Sequence, residues 1–110
     1  MRRLPHPGTE AVHIDTVLTA LADPLRRRIV RQLAAGDEAQ ACGAFDLPVT
    51  KSTSTHHFRV LREAGIITQR YHGNKILNRL RADDLEDRFP GLLRAILLAD
   101  GTNRQDPPQL

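Results

Sequence analysis

The stretch that decides the fold is Thr50-Lys51-Ser52-Thr53-Ser54-Thr55-His56-His57-Phe58-Arg59-Val60-Leu61-Arg62-Glu63-Ala64-Gly65. At the period of an α-helix, Ser54, His57, Phe58, Leu61 and Ala64 fall on one face. Lys51, Ser52, Thr55, His56 and Arg59 fall on the other, with Arg62 at its margin. This outer face carries short hydroxyls and cations and no carboxylate before Glu63. Thr50 suits a helix N-cap because its hydroxyl can accept an orphan backbone N–H, and Gly65 stands where a helix stops. The pattern predicts a helix starting at Thr50 with one apolar and one cationic side.

Downstream, Ile66-Ile67-Thr68-Gln69-Arg70-Tyr71-His72 and Lys75-Ile76-Leu77-Asn78-Arg79-Leu80 flank Gly73-Asn74. Two β-branched or apolar runs around a Gly-Asn pair predict a hairpin with a two-residue type II′ turn, Gly73 taking the positive-φ position. Its tip carries His72, Asn74 and Lys75, with Arg70 nearby. Asp83 and Asp84 are expected to cap a last helical stretch through Leu85, Phe89, Leu92, Leu93, Ile96 and Leu97. Pro90 removes the N–H that would bond Glu86, so a break is expected at Phe89–Pro90.

Upstream, Ile14, Val17, Leu18 and Leu21 define a first helix, and Asp23-Pro24 opens a second. Asp caps well, and proline is tolerated at the first helical position, where its missing N–H would be unpaired anyway. Leu25, Ile29, Val30 and Leu33 face inward and Gly36 ends the helix. Residues 37–48 read as a turn and a short helix anchored by Phe45 and Leu47. Residues 1–8 read as a disordered arm and 100–110 as a disordered tail, leaving one ordered domain over 9–99. The fold class is mainly α with a small β-hairpin.

Charge follows the same division. Residues 1–49 are neutral overall, residues 50–81 hold seven basic residues against Glu63 alone, and residues 82–110 are net −3, for a total of +3. A basic third is what a polyanion-binding surface requires, although charge alone also fits a solvated face without a partner. No apolar run approaches the roughly 20 residues that span a bilayer. The basic start, Met1 to Pro7, lacks the apolar core of a secretory signal. With a single cysteine, Cys42, no internal disulfide can form. These features predict a cytoplasmic protein.

On Leu21-Ala22-Asp23-Pro24-Leu25-Arg26-Arg27-Arg28-Ile29, on Ser52 to Ile67, and on Arg70-Tyr71-His72-Gly73-Asn74-Lys75, the chain resembles the ArsR/SmtB family of winged helix-turn-helix regulators. The resemblance covers roughly Ile14 to Arg81 and implies a homodimeric repressor on a palindromic operator, released by an effector. It puts Thr50, Lys51, Ser52, Thr53, Thr55, His56 and Arg59 of the helix, with Arg70, His72, Asn74 and Lys75 of the wing, on double-stranded DNA. The first and last helices, through Ile14, Val17, Leu18, Leu92, Leu93, Ile96 and Leu97, would form the dimer interface. The apolar breadth of the last helix supports a partner subunit on its own account.

The chain departs from the family where relatives sense metals. The Cys-x-Cys positions, counted back without gaps from Thr50, fall on Ala39 and Ala41, and the last helix from Asp83 to Asp100 has no histidine. One thiolate, Cys42, is too few ligands for a thiophilic metal, so no metal and no cofactor is expected. A site between subunits joining His6, His13 and Cys42 stands against the commoner solvated histidines. Cys42 is either a redox switch or an inert thiol. An organic small-molecule effector, or none, remains. His57 reads as a core histidine and His56 as a contact residue. No nucleophile or carboxylate lies at a spacing that would make the pair catalytic, and no enzymatic motif is present. The alternative to a DNA reader is a winged-helix protein–protein module, but the outer face lacks apolar anchors. An RNA reader would need an aromatic platform, for which Tyr71 is the single candidate.

Overall fold

The computed structural model describes the backbone of residues 3–105. Helix α1 runs Ile14–Leu21 and α2 runs Pro24–Ala35. Asp23 caps α2, its Oδ1 accepting the backbone N–H of Leu25 at 2.8 Å and of Arg26 at 3.2 Å, with Pro24 opening the first turn. At Gly36 the chain leaves the helix in an extended conformation, φ −102°. Helix α3, Lys51–Glu63, is the helix expected from Thr50, and the Thr50 hydroxyl accepts Thr53 N–H at 3.2 Å.

Gly65 follows α3 at φ +83°, a backbone region that L side chains avoid. A Cβ there would lie 2.5 Å from Val12 Cγ2, so glycine is required on both counts. Strands β2, Ile67–His72, and β3, Lys75–Leu80, form the expected hairpin, with His72 opposite Lys75. Gly73 has φ +64° and no described non-glycine residue has positive φ, the sign pattern of a type II′ turn.

The core joins Ile29, Val30 and Leu33 of α2 to Phe58 and Leu61 of α3 and to Ile66 and Ile67 at the foot of the hairpin. Phe45 meets the Phe58 ring edge-on at 5.2 Å. Helix α4, Ala82–Arg88, and helix α5, Leu92–Gln105, are separated at Phe89–Pro90 as Pro90 demands. Leu92, Leu93, Ile96 and Leu97 of α5 pack half-buried against the core.

Five expectations are corrected. The hairpin belongs to a three-stranded sheet of order β1-β3-β2, where β1 is Gln40–Ala41 with Gln40 opposite Asn78. Two residues are too few to show strand alternation. The short helix expected before Pro48 is one 3-10 turn, Cys42–Ala44. The expected loose arm is held to the domain at His6 and Pro7: Pro7 carbonyl accepts from Arg81 Nη1 at 2.8 Å, and His6 Nε2 accepts Gln69 N–H at 2.9 Å. The expected tail at 100–105 is the end of α5, held because Asp100, 8% exposed, accepts from Arg27 Nε at 2.8 Å and pairs with Arg31. Residues 1–2 and 106–110 of those two expectations lie outside the described residues. Asp83 and Asp84 sit inside the first turn of α4, whose N-cap is Arg81; Asp84 accepts from Arg81 Nε at 2.9 Å instead of capping. Among the described residues, no helix is long and apolar enough to cross a membrane.

Candidate nucleic-acid interface

Helix α3 separates its two faces as its period dictates. His57, Phe58 and Leu61 are buried, while Lys51, Ser52, Thr53, Thr55, His56 and Arg59 are exposed. Lys51, Ser52, Thr55, His56 and Arg59 line one shallow open depression along the helix. Thr55 hydroxyl donates to Lys51 carbonyl at 2.9 Å, leaving its oxygen lone pairs outward. Arg59 Nη2 comes within 3.5 Å of His56 Nδ1, so the guanidinium lies along the same face. Among the described residues, no carboxylate forms an ion pair with Lys51 or Arg59. At the N-terminus of α3, Thr50 hydroxyl donates to Thr53 Oγ1 at 3.0 Å and Ser52 Oγ lies 3.3 Å away, clustering hydroxyls beside orphan N–H groups that suit a phosphate.

Arg70, His72, Asn74 and Lys75 are all exposed at the wing, so the second predicted cluster also faces outward. Arg62 is the exception. It is 9% exposed, and its Nη1 donates to Gln69 Oε1 at 2.8 Å. Gln69 Nε2 donates in turn to Asn78 Oδ1 at 2.8 Å, and Asn78 Nδ2 donates to Gln40 carbonyl at 3.0 Å and to Cys42 Sγ at 3.2 Å. This buried chain ties α3 to all three strands. Helical spacing put Arg62 near the outer face because it could not show the sheet packing over that margin. Polar Gln69 and Asn78, opposite each other in register, were the available signal.

On the inner side His57 Nδ1 lies 3.2 Å from Arg26 Nη1. Burial pushes the His57 pKa down, Asp23 pulls it up, and Arg26 and His56 add to the lowering. Burial alone would raise the Asp23 carboxyl, but its two capping N–H donors, with Arg26 and His57, hold it below the usual range.

The interface residues assigned to α1 and α5 divide. Val17 is 2% exposed and belongs to the protomer's own core, whereas Ile14 at 39% and Leu18 at 44% are exposed, as is Leu98 at 62%, which lay outside the assignment. Leu92, Leu93, Ile96 and Leu97 are half-buried. Cys42 is a half-buried free thiol beside Asn78. His6 sits against β2 and His13 precedes α1. Among the described residues no group of three or more metal-ligating side chains gathers within the protomer.

Helices α1 and α2, the turn before Thr50, α3 with its polar face outward, and the adjoining basic hairpin define a winged helix-turn-helix. The helix-turn-helix domain family matches residues 21–70. The chain is 30% identical over 82 residues to the uncharacterized HTH-type transcriptional regulator YceK of Bacillus subtilis, covering 73% of this chain and 82% of that protein. It is 29% identical over 87 residues to the transcriptional repressor SdpR of the same organism, covering 79% of this chain and 97% of SdpR. An ArsR-like transcriptional regulator from Rhodococcus sp. RHA1 superposes with a TM-score of 0.58 at 24% identity, over 87% of this chain and 93% of that one. The chain belongs to the HTH-type transcriptional regulators, and its fold is the ArsR-like winged helix.

Proposed function

We propose that the protein is a homodimeric repressor that binds a palindromic operator through α3 and the wing. The observation that carries this reading is the exposed face Lys51, Ser52, Thr55, His56 and Arg59, free of acidic side chains and continued by Arg70, Asn74 and Lys75. The major groove admits one α-helix, and side chains of these types meet base edges and phosphates there. Thr50, Thr53 and His72 complete the contact set at the helix start and the wing tip. The exposed Ile14, Leu18 and Leu98, beside half-buried Leu92, Leu93, Ile96 and Leu97, supply the apolar surface of a two-fold interface. Such a dimer would set its two α3 helices about 34 Å apart, one turn of DNA.

On this reading the function is binding and not catalysis, and the protein acts in the cytoplasm. The regulator takes either an organic effector or none, and not a metal at the family's usual sites. SdpR, named a repressor, supports the direction of regulation. A protein–protein role would need apolar anchors on the outer face of α3, where cations and hydroxyls stand.

Selection of bound duplexes from random sequence, followed by anisotropy titration at several salt concentrations, tests the proposal. It expects a two-fold symmetric motif, affinity falling steeply with salt by counterion release, and a sedimenting mass twice 12.3 kDa. Binding that is absent, or indifferent to salt, contradicts it.

A further inference from the structure

Beyond α3 and the wing, we propose that the segment Arg3 to Pro7 is a third DNA contact, with Arg3 engaging a backbone phosphate beside the wing. This rests on the DNA-binding reading above.

Strand β2 is an edge of the sheet, since the order is β1-β3-β2, and the N–H of Gln69 points off that edge. Instead of another strand, His6 meets it, Nε2 accepting at 2.9 Å. Pro7 is anchored at the foot of the hairpin: its carbonyl takes Arg81 Nη1 at 2.8 Å, and Arg81 N–H bonds Ile66 carbonyl at 2.9 Å. From Pro7 to His6 the chain therefore climbs from the level of Ile66 toward Gln69, in the direction of the wing tip.

Leu4-Pro5-His6-Pro7 is a stiff rod. Each proline locks its own φ, and the residue before each is held extended. Residues 3–8 include no turn or bend. At about 3.1 Å per residue, the four steps from Pro7 to Arg3 cover roughly 12 Å. At about 3.3 Å per residue along β2, the same climb from Ile66 ends near Arg70. Arg3, which is exposed, is thereby carried to the level of Arg70, below the wing tip at His72 and Lys75.

A cation on a rod already docked to the wing pays little ordering entropy on binding, which is how a preorganised contact adds affinity. The prolines also offer no N–H to a foreign strand, so the rod blunts the β2 edge. Position beside the backbone-tracking wing, together with a single guanidinium, fits a phosphate contact, which is indifferent to sequence.

The test compares the wild-type chain with Arg3→Ala and Arg3→Lys on two duplexes of equal length, the best selected one and one of mixed sequence. The slope of log affinity against log salt is the readout. The proposal expects Arg3→Ala to reduce the slope by about 0.9 on both duplexes, one phosphate's worth, and Arg3→Lys to restore it. His6→Ala, which unfastens the rod while keeping Arg3, is expected to weaken binding on both. An Arg3→Ala slope equal to wild type on both duplexes overturns the proposal, and so does a loss confined to the selected duplex, which would mean base reading. Wild-type protein without salt-dependent binding to either duplex overturns the underlying DNA reading itself.

Discussion

Arg26 Nη1 and His57 Nδ1 lie 3.2 Å apart and fasten the second helix to the inner face of α3. A guanidinium has donors only, so Nδ1 must offer its lone pair and the imidazole must be neutral, its proton on Nε2. Burial lowers the His57 pKa in agreement, ahead of the opposing pull of Asp23 and the further lowering by Arg26 and His56. An unfolded histidine titrates near 6.5. Between that value and the lower folded one, the unfolded chain binds more protons, so stability rises with pH across this window. Above about 6.5 the contribution is fully present; it falls as pH drops through 6.5 and levels off below the folded pKa. His6, also lowered chiefly by burial, adds with the same sign. His57→Gln, which keeps an acceptor but does not titrate, should shrink the loss of urea midpoint between pH 7.5 and 5 without abolishing it. An unchanged loss would mean that His57 is not a proton-linked contact.

Asp23 holds two backbone N–H groups at the start of α2. Asp23→Ala should cost about 1 kcal/mol in chemical denaturation, the usual worth of an N-cap. Asp23→Asn, still an acceptor, should recover most of it. Equal losses in the two variants would shift the weight from the cap to the carboxylate charge.

Gly65 joins positive φ to a 2.5 Å approach on Val12. Gly65→Ala should therefore destabilise by about 3 kcal/mol, strain and overpacking together. Gly73 has the same sign of φ but open space around it. Gly73→Ala should cost visibly less in a parallel thermal melt, because only the backbone term applies.

Cys42 is half-buried with its sulfur accepting from Asn78. Cys42→Ser should bind DNA as wild type does, with or without peroxide, in a gel-shift titration. A wild-type response to oxidant that the serine variant lacks would make this thiol a switch.

Most of the frame was legible in the chain. Asp23-Pro24, Thr50, Gly65 and Gly73-Asn74 each state a local constraint, and each stands where its chemistry requires. What escaped was set by contacts distant in sequence. β1 exists because Gln40 and Ala41 find β3, and two residues carry no period of their own. Asp100 looked like the start of a tail until Arg27 and Arg31, over sixty residues earlier, made it a buried anchor. Arg62 looked like a marginal contact until Gln69 took its guanidinium. The segment around His6 read as a loose arm because the strand edge on which it rests, at Gln69, lies over sixty residues away.

The most direct measurement is the affinity of Arg59→Ala for the selected duplex, with sedimentation of the same sample. Arg59 is exposed on the outer face of α3, where its guanidinium lies 3.5 Å from His56 Nδ1, so its loss should leave the fold alone. Specific binding should disappear while the sedimenting mass stays equal to that of the wild-type protein. Wild-type affinity in that variant would contradict the assignment of this face to DNA.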